Sequence, residues 1–141
     1  MVLYKVKKGG IIMKLAYPVV ISKDGKFLLA SVPDCEIDTQ GNNLVDAIEM
    51  ARDAISVWCV CEQDMGRQLP LPSDLSSIKH DEGDILTLVD VDIDAYRRTL
   101  ETRTIRKNLT IPAWLNDAAE KEHVNFSQIL QQGLKQHLRI N

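Results

Sequence analysis

Three polar side chains alternate along the segment "RKNLT" and have the chemistry needed to hydrogen-bond the edges of DNA bases. Arg106, Asn108 and Thr110 occupy every second position, so a strand would present them on one face. Arginine makes two hydrogen bonds to guanine, asparagine makes two to adenine, and threonine contacts polar base edges or a thymine methyl group. The same pattern also occurs on strand faces that only meet solvent, so its meaning depends on the elements around it.

A different chemistry would use the acidic residues of the first part of the chain. Nucleases that bind two metal ions hold them with carboxylates converging from several strands and a helix. Here Asp24 lies in a predicted turn and Glu49 lies early in a predicted helix. Asp90 and Asp92 lie on a later strand, and the middle of the first strand has no carboxylate. Acids scattered in this way more often form a solvated face, so we expect no catalytic residues.

The cysteines and histidines do not have the spacing of a metal site. The chain contains no C-x-x-C motif, and neither His80 nor His123 has ligand-like spacing to a cysteine. Cys59 and Cys61 are two residues apart in a helical segment and therefore point in different directions. We predict small buried thiols instead of disulfides, and we expect no metal and no cofactor.

Charge is distributed unevenly along the 141 residues. Residues 1–94 hold 9 Lys and Arg against 16 Asp and Glu, whereas residues 95–141 hold 8 against 4. An acidic first part and a basic tail favour two modules with differently charged partners, although solvated faces also explain such an excess. No apolar run approaches the roughly 18 residues that a membrane span needs, and the N-terminus lacks the pattern of a signal peptide. We expect a cytoplasmic protein without membrane contact.

The first module is predicted as a β-β-β-α-β arrangement of the α+β class. Asp24-Gly25 between two apolar runs is typical of a hairpin turn whose two central residues both take positive φ. The hairpin would join strands at residues 17–22 and 26–32, and "CEIDTQG" predicts a short third strand. One helix would then cover a small antiparallel sheet.

The helix and the last strand of this module have clear sequence signals. Asn43 is placed as the N-cap with Asp46 at the third helical position. An apolar stripe at helical spacing follows, comprising Leu44, Ile48, Ala51, Ile55 and Trp58 or Cys59. "LPLPSDL" is predicted as a loop because its prolines interrupt regular elements. "GDILTLVDVDIDAY" alternates as a half-exposed strand with an acidic row on its open side.

These pieces, in this order, resemble the HicB antitoxin family. The matching segments are "YPVVISKDGKFLLASVPD", "DTQGNNLVDAIEMARDAISVW", "LPLPSDL" and the strand from Asp84, covering Tyr17 to Ile93. The resemblance implies a truncated ribonuclease-H-like fold for a domain at residues 1–94, with its core at 14–94. The sequence departs from the usual opening by the 12 residues ahead of Met13, which the resemblance leaves as an upstream start or an addition.

The resemblance also implies a protein partner for this domain, a HicA-like toxin that is a small basic ribonuclease. The acidic charge of residues 1–94 suits such a partner through electrostatic complementarity. Charge and predicted exposure select five candidate toxin-binding residues: Asp34, Glu36, Asp38, Asp90 and Asp92.

The tail contains one predicted strand and two predicted helices. Residues 95–103 are polar and are predicted as a linker with at most a helical turn. A strand follows at residues 104–111, and Pro112 fits the first turn of the next helix. Asn125 is predicted to cap the last helix with Gln128 at its third position. Fewer than 40 residues with a single strand cannot close a core alone, so a second copy would have to supply the partner strand.

From residue 104 to 138 the tail resembles a ribbon-helix-helix domain, which implies a dimer that places a two-stranded ribbon in the major groove of DNA. By this resemblance Arg106, Asn108 and Thr110 face the bases. Phosphate contacts are predicted for Thr104, Lys107, Asn125, Phe126 and Ser127. The shared dimer core is predicted to contain Ile105, Leu109, Ile111, Trp114, Leu115, Ile129, Leu130 and Leu134.

The sequence therefore predicts an antitoxin of a HicAB-like toxin–antitoxin pair. It would neutralise an mRNA-cleaving toxin by direct binding and repress its own operon through double-stranded operator DNA, as a dimer or as a tetramer of two dimers. Two alternatives remain open. One is a repressor whose first module senses a small molecule, and the other is a ribonuclease-H-like nuclease.

Overall fold

The computed structural model describes residues 2–140, so the terminal residues 1 and 141 of the predicted domains lie outside the described part. The chain divides into two compact units, Met1–Arg103 and Thr104–Asn141. Within the described residues, the strands are β1 (Tyr4–Val6), β2 (Ile12–Asp24), β3 (Phe27–Val32), β4 (Ile37–Gly41) and β5 (Ile85–Asp92). The α-helices are α1 (Leu44–Asp64), α2 (Ile93–Leu100), α3 (Ala113–Lys121) and α4 (Phe126–Leu138).

The strands form one antiparallel sheet around β2, the longest of them. β1 and β3 share one edge of β2, where β1 pairs with its first half and β3 with its second half. β5 pairs along the opposite edge, and β4 pairs with β3. The predicted α+β class and the β-β-β-α-β order are confirmed as β2-β3-β4-α1-β5, and β1 and α2 are added at the two ends of this order.

β1 lies among the residues to which the family resemblance assigned no role. Tyr4 pairs with Leu15 and Lys5 pairs with Lys14, and β2 begins at Ile12 instead of Tyr17. The connection contains Gly9 and Gly10, both with positive φ. A strand of three residues is too short to produce a recognisable alternation, which is why the sequence did not reveal it.

The hairpin between β2 and β3 lies where it was predicted but has a different turn. Asp24 pairs with Phe27, so the loop consists of Gly25 and Lys26. Of these two residues only Gly25 has a positive φ, +62°. A two-residue loop with a positive φ at a leading glycine fits a type II′ turn. The prediction that both central residues take positive φ was therefore wrong.

Pro18 lies in the middle of β2 without breaking the sheet. The Ala16 N–H donates to the Leu3 carbonyl at 2.7 Å, so even-numbered residues of β2 direct their backbone groups toward the edge shared by β1 and β3. The paired residues of β1 reach only Leu15 of β2, and β3 begins to pair at Val20. The N–H that proline lacks would therefore point into the gap between these two strands, so no ladder hydrogen bond is lost.

Helix α1 packs on one face of the sheet. Asn43 caps it as predicted, because its side chain accepts a hydrogen bond from the Asp46 N–H at 2.9 Å. Leu44 was expected on the buried stripe but is 39% exposed, because the buried stripe begins one turn later. Its members are Ala47, Ala51, Ile55, Ser56, Cys59 and Val60. They face the buried side chains of the sheet, Leu15, Tyr17, Val19, Ile21, Ala30, Val32, Val89 and Val91.

Gly41 allows β4 to run directly against the first turn of α1. A Cβ atom at this position would overlap the backbone nitrogen of Ala47 and would lie 2.6 Å from its Cα atom. Because these are backbone atoms at the start of a helix, they cannot move aside cheaply. Steric fit therefore explains the glycine of the "TQG" segment.

The predicted linker at residues 95–103 is largely helical, which corrects that prediction. Helix α2 follows β5 directly, and the Asp92 side chain caps it by accepting a hydrogen bond from the Ala95 N–H at 3.0 Å. Ile93 is buried, and Arg97 donates to the Asp64 carboxylate of α1 at 2.8 Å. One buried apolar side chain and a cross-helix ion pair thus fix a segment whose composition is mostly polar.

The second unit contains helices α3 and α4, but residues 101–112 form neither helix nor strand in the described chain. The predicted strand at 104–111 is therefore absent from the single chain, since a strand requires a hydrogen-bonded neighbour. Pro112 is the N-cap of α3 instead of a residue of its first turn. Asn125 caps α4 as predicted and accepts a hydrogen bond from the Gln128 N–H at 3.1 Å.

Candidate partner-binding and DNA-binding surfaces

The five acidic residues predicted to bind a toxin do not form one cluster. Asp34 and Glu36 lie in and just after the 3-10 turn that follows β3, and Asp38 lies in β4. Asp90 and Asp92 lie in β5. Because β4 and β5 are at opposite sides of the sheet, the acids form two separate groups on the first unit.

In the first group, Asp34 is engaged inside the fold. Its carboxylate accepts hydrogen bonds from the backbone N–H of Ser73 at 2.8 Å and from the Ser73 hydroxyl at 2.5 Å. Glu36 and Asp38 are exposed, and the Asp38 carboxylate accepts a hydrogen bond from the Ser31 hydroxyl at 2.6 Å. Glu36 has a left-handed backbone conformation with φ +53°. This group therefore offers two exposed carboxylates, while the third positions a loop.

In the second group, both acids have basic neighbours. The Asp90 side chain is 85% exposed and lies 3.1 Å from a guanidinium nitrogen of Arg52. The Asp92 carboxylate lies 3.5 Å from the Lys14 ammonium group and also caps α2. Asp90 is thus the more accessible of the two, because Asp92 already has two structural roles.

The proline-rich loop is fixed by two contacts that the sequence did not reveal. The buried Tyr17 hydroxyl donates to the Pro70 carbonyl at 2.6 Å, and Ser73 donates twice to Asp34. Burial raises the pKa of Tyr17 well above its usual range, so this hydroxyl stays protonated and able to donate. The segment "LPLPSDL" is a loop as predicted, and both hydrogen bonds hold it against the sheet.

Two of the three thiols are buried beside this contact. The expectation of buried thiols is confirmed for Cys35 and Cys59 and is wrong for Cys61, which is exposed. Two residues along a helix correspond to a rotation of about 200°, so Cys61 points away from the face on which Cys59 is buried. Burial raises the pKa values of Cys35 and Cys59 to about 12. Both thiols are therefore neutral and poor nucleophiles at physiological pH.

A cavity of about 610 Å³ lies near the C-terminal end of α1. Three basic side chains from different elements line it, and each has an acidic partner. Lys7 lies 3.3 Å from Asp94, Arg67 2.7 Å from Glu62 and Arg97 2.8 Å from Asp64. The other lining residues are Gly10, Ile11, Ile12, Gln63, Gly66, Gln68, Leu69 and Leu71. These ion pairs offset the positive charge around an apolar wall.

The residues predicted to contact DNA bases are fully available in the second unit. Arg106, Asn108 and Thr110 are exposed, as are Thr104 and Lys107. Their apolar neighbours are exposed too, at 80% for Ile105 and 63% for Leu109. A segment that exposes both its polar and its apolar side chains has no packing partner within the described chain.

The two helices of this unit also expose their apolar sides. The exposed side chains are Trp114, Leu115, Phe126, Ile129, Leu130, Leu134 and Leu138. On α4 the residues 126, 129, 130, 134 and 138 have the spacing of a single stripe. At the start of α4, Asn125 provides the cap, and Phe126 and Ser127 occupy the first turn, where backbone N–H groups lack helical partners.

The acids considered for metal-dependent cleavage lie at separate places. Asp24 ends β2 beside the hairpin loop, Glu49 is exposed on α1, and Asp90 pairs with Arg52. Within residues 2–140 the side chains of His, Cys, Asp and Glu form no group of three or more that could hold a metal ion. In the same described part, no helix is both long enough and apolar enough to cross a membrane.

Residues 17–133 match the family described as the HicB-like antitoxin of bacterial toxin–antitoxin systems. Two solved structures are similar to most of the chain. A toxin–antitoxin complex from Streptococcus pneumoniae has 24% identity and a TM-score of 0.55, covering 89% of this chain and 99% of that one. The antitoxin HicB of Burkholderia pseudomallei has 22% identity and a TM-score of 0.50, covering 88% and 96%. At these identities the similarity shows the fold. No curated protein matches the chain significantly.

Proposed function

The chain belongs to the HicB-like antitoxin family of bacterial toxin–antitoxin systems, and on this premise we propose that it neutralises a toxin and represses its own operon. The first unit binds a small basic ribonuclease, a HicA-like toxin, and covers its active site. The second unit pairs with a second copy of the chain and binds double-stranded operator DNA.

The exposed apolar side chains of the second unit are the observation that carries this proposal. Between residues 104 and 140 no side chain is buried, although Ile105, Trp114 and Ile129 are 80%, 71% and 56% exposed. A folded unit that leaves so much apolar surface in water requires a partner. A second copy satisfies this requirement by symmetry, because each copy presents the same helices and the same unpaired segment.

Pairing of the two segments at residues 104–111 provides the DNA-binding element. Two antiparallel segments satisfy each other's backbone groups and form a ribbon that fits the major groove. Ile105, Leu109 and Ile111 then face the shared core together with Trp114, Leu115, Ile129, Leu130 and Leu134. Arg106, Asn108 and Thr110 alternate with the apolar residues and face the bases.

Phosphate contacts position this ribbon on the duplex. The backbone N–H groups of Phe126 and Ser127, in the first turn of α4, are suited to a phosphate because a helix N-terminus carries partial positive charge. Asn125 holds that turn in place through its cap. Thr104 and Lys107 add side-chain contacts beside the ribbon, and Lys107 reaches outward along its aliphatic stem.

Toxin binding is assigned to the exposed carboxylates of the first unit. Glu36, Asp38 and Asp90 are the accessible members of the predicted set, while Asp34 and Asp92 hold the surrounding loop and helix in position. Residues 1–94 have seven more acidic than basic side chains, which attracts a basic partner and accelerates its association. The two acidic groups contact different parts of the toxin, because they lie at opposite sides of the sheet.

The decisive experiment co-expresses the chain with the small basic protein encoded by the neighbouring reading frame. We expect a stable complex, no mRNA cleavage by the bound toxin, and retarded migration of DNA from the upstream region. A control in which Glu36, Asp38 and Asp90 are replaced by the matching amides should keep DNA binding and weaken toxin binding. Toxin activity that is unaffected by the wild-type chain would contradict the proposal.

The cavity near the end of α1 supports a second candidate, a repressor whose first unit senses a small molecule. This alternative predicts that operator affinity changes with a metabolite and that no toxin gene lies beside this one. The ion pairs of Lys7, Arg67 and Arg97 argue for a structural role of the cavity wall, because a ligand would have to compete with three carboxylates. Operator binding that responds to a cell extract of small molecules would favour the sensor.

A further inference from the structure

Strand β5 has one edge without a neighbouring strand in the described chain. It pairs only with β2, from Ile85 opposite Ile21 to Asp92 opposite Lys14. An edge of eight residues presents a row of backbone donors and acceptors to its surroundings. Which residues form this row follows from the hydrogen-bond pattern of β2.

The backbone of β2 alternates between its two edges. The Ala16 N–H donates toward β1, and the Asp24–Phe27 pair closes a two-residue hairpin toward β3, so even-numbered residues of β2 bond away from β5. Odd-numbered residues of β2 therefore bond to β5. Their partners are Ile85, Thr87, Val89 and Val91. It follows that Leu86, Leu88 and Asp90 direct their N–H and C=O groups outward from the sheet.

Only one end of this outward row is occupied by a strong contact. The Arg52 side chain donates to the Asp90 carbonyl oxygen at 3.0 Å and to its carboxylate at 3.1 Å. The Thr87 hydroxyl lies 3.5 Å from the Leu88 carbonyl, at the outer limit of a hydrogen bond. In the described chain, no backbone group outside the ladder bonds to Leu86 or Leu88.

The side chains along this edge are apolar and without charge. The segment "ILTLV" at residues 85–89 contains no ionisable residue. Leu86 lies beside Val20 and Leu88 beside Pro18 on the sheet face opposite α1, and Ile85 is 43% exposed. A charged partner finds no complementary charge here. An identical apolar segment complements it in both backbone and side chains.

We propose that β5 pairs antiparallel with β5 of a second copy of this chain around a two-fold axis. The pairing joins two five-stranded sheets into one and satisfies the outward groups of Leu86 and Leu88. The leucines of the two copies meet on the face opposite α1. Asp90 does not add a free charge at the end of the new ladder, because Arg52 already pairs with it.

This interface is separate from the pairing proposed for the second unit. If both exist, each chain uses two different two-fold contacts, and dimers held by their tails associate into tetramers that carry two DNA-binding ribbons. Only this consequence rests on the proposed function. The pairing of β5 stands on the geometry of the first unit.

Two substitutions at Leu88 test the interface in the full-length chain. Leu88→Pro removes the outward N–H and leaves the bonds between β2 and β5 intact, since position 88 does not donate to β2. Leu88→Lys places a charge at the edge, and Leu88→Val is the matched control. Sedimentation velocity should show the mass of the assembly halved for the proline and lysine variants and unchanged for the valine variant. Circular dichroism verifies that each variant is folded.

Hydrogen exchange of the wild-type protein supplies a readout that needs no variant. We expect the Leu86 and Leu88 amides to be protected and their exchange to accelerate on dilution. Fast exchange at all concentrations, or an unchanged mass in folded Leu88→Pro and Leu88→Lys, would overturn the proposal. An unchanged mass combined with loss of toxin binding would assign the edge to the toxin instead.

A variant of the tail, Leu130→Asp, separates the two interfaces. If only β5 pairs, the wild type is a dimer, Leu88→Lys is a monomer and Leu130→Asp stays a dimer. If only the tails pair, Leu130→Asp is the monomer and Leu88→Lys leaves the dimer intact. Failure of one proposal is therefore distinguishable from failure of the other.

Discussion

The carboxylate of Asp34 accepts two hydrogen bonds from Ser73, one from its backbone N–H at 2.8 Å and one from its hydroxyl at 2.5 Å. The two residues are 39 positions apart in the sequence, and together they hold the proline-rich loop against the turn that follows β3. We expect Asp34→Ala to lower the free energy of unfolding by about 1.5–3 kcal/mol, because the bonds involve a charged group and its loss leaves a half-buried N–H unpaired. Urea denaturation measures this change.

Asp74→Ala is the matched control for this prediction, since Asp74 is an exposed carboxylate in the same loop. It should change the stability by no more than about 0.5 kcal/mol. Equal midpoints for the two variants would mean that the contact with Ser73 does not hold the loop. Glu36→Ala and Asp38→Ala should weaken toxin binding more than they change stability.

Gly41→Ala should destabilise the first unit through a steric clash. Its added Cβ would meet the backbone of Ala47 at the start of α1, so either β4 or the helix must shift, at a cost of about 1–3 kcal/mol or more. Thermal unfolding followed by circular dichroism detects the loss. Gln40→Ala, at the neighbouring exposed position, should leave the melting temperature nearly unchanged. A Gly41→Ala protein as stable as the wild type would show that β4 and α1 do not approach so closely.

The thiols should differ sharply in reactivity. Cys61 is exposed, whereas burial keeps Cys35 and Cys59 protonated with pKa values of about 12. At about pH 8 a thiol reagent should therefore label one cysteine per native chain quickly and the other two only on unfolding. Cys61→Ser should abolish the fast phase. Rapid labelling of all three thiols in the folded protein would contradict the buried placement.

The same two thiols predict a loss of stability in alkaline solution. Their pKa values are raised in the folded state above the ordinary value of 9.0, so the unfolded chain releases protons first as pH increases. The stabilising contribution is complete below about pH 9 and is lost between about pH 9 and pH 12. Urea midpoints measured across this range should fall, and they should fall less steeply for Cys35→Ala. The raised pKa of Tyr17 acts in the same direction.

Removal of apolar side chains from α4 should dissociate the tail dimer. Leu134→Asp introduces a charge into the stripe formed by residues 126, 129, 130, 134 and 138, and a buried unpaired charge is strongly unfavourable. Operator binding should be lost together with tail pairing. Gln132→Asp adds the same charge on the opposite side of the helix and should preserve both. Specific DNA binding by a folded Leu134→Asp variant would argue against a dimeric ribbon.

Substitutions on the ribbon should separate DNA binding from toxin neutralisation. Arg106→Ala and Asn108→Ala should each weaken specific operator binding by about 5- to 150-fold, which corresponds to about 1–3 kcal/mol for a lost bidentate base contact. Gel-shift titration at fixed salt measures the change. Arg98→Ala, which removes an exposed positive charge from α2, is the control. Unchanged operator affinity in both ribbon variants would refute the assigned base-contacting face.

The elements that sequence alone predicted are those whose signals are local. The hairpin at Gly25, the Asn43 and Asn125 caps and the alternation of β5 depend on turn chemistry, capping and periodicity within a few residues. The turn type, the helical segment at residues 95–103 and the three-residue β1 were missed. Each of them depends on contacts with residues far away in the chain, such as Asp64 for Arg97 and Leu15 for Tyr4.

The residue types of the tail, by themselves, determined that it requires a partner, because one potential strand and two amphipathic helices cannot bury their own apolar surface. They also supplied the alternation that places Arg106, Asn108 and Thr110 on one face. Only the tertiary structure decided that Asp34 and Asp92 serve the fold, that the acids lie at opposite sides of the sheet, and that Leu86 and Leu88 direct their backbones outward. These properties arise from strand order and register, which depend on pairing between distant segments and leave no trace in local composition.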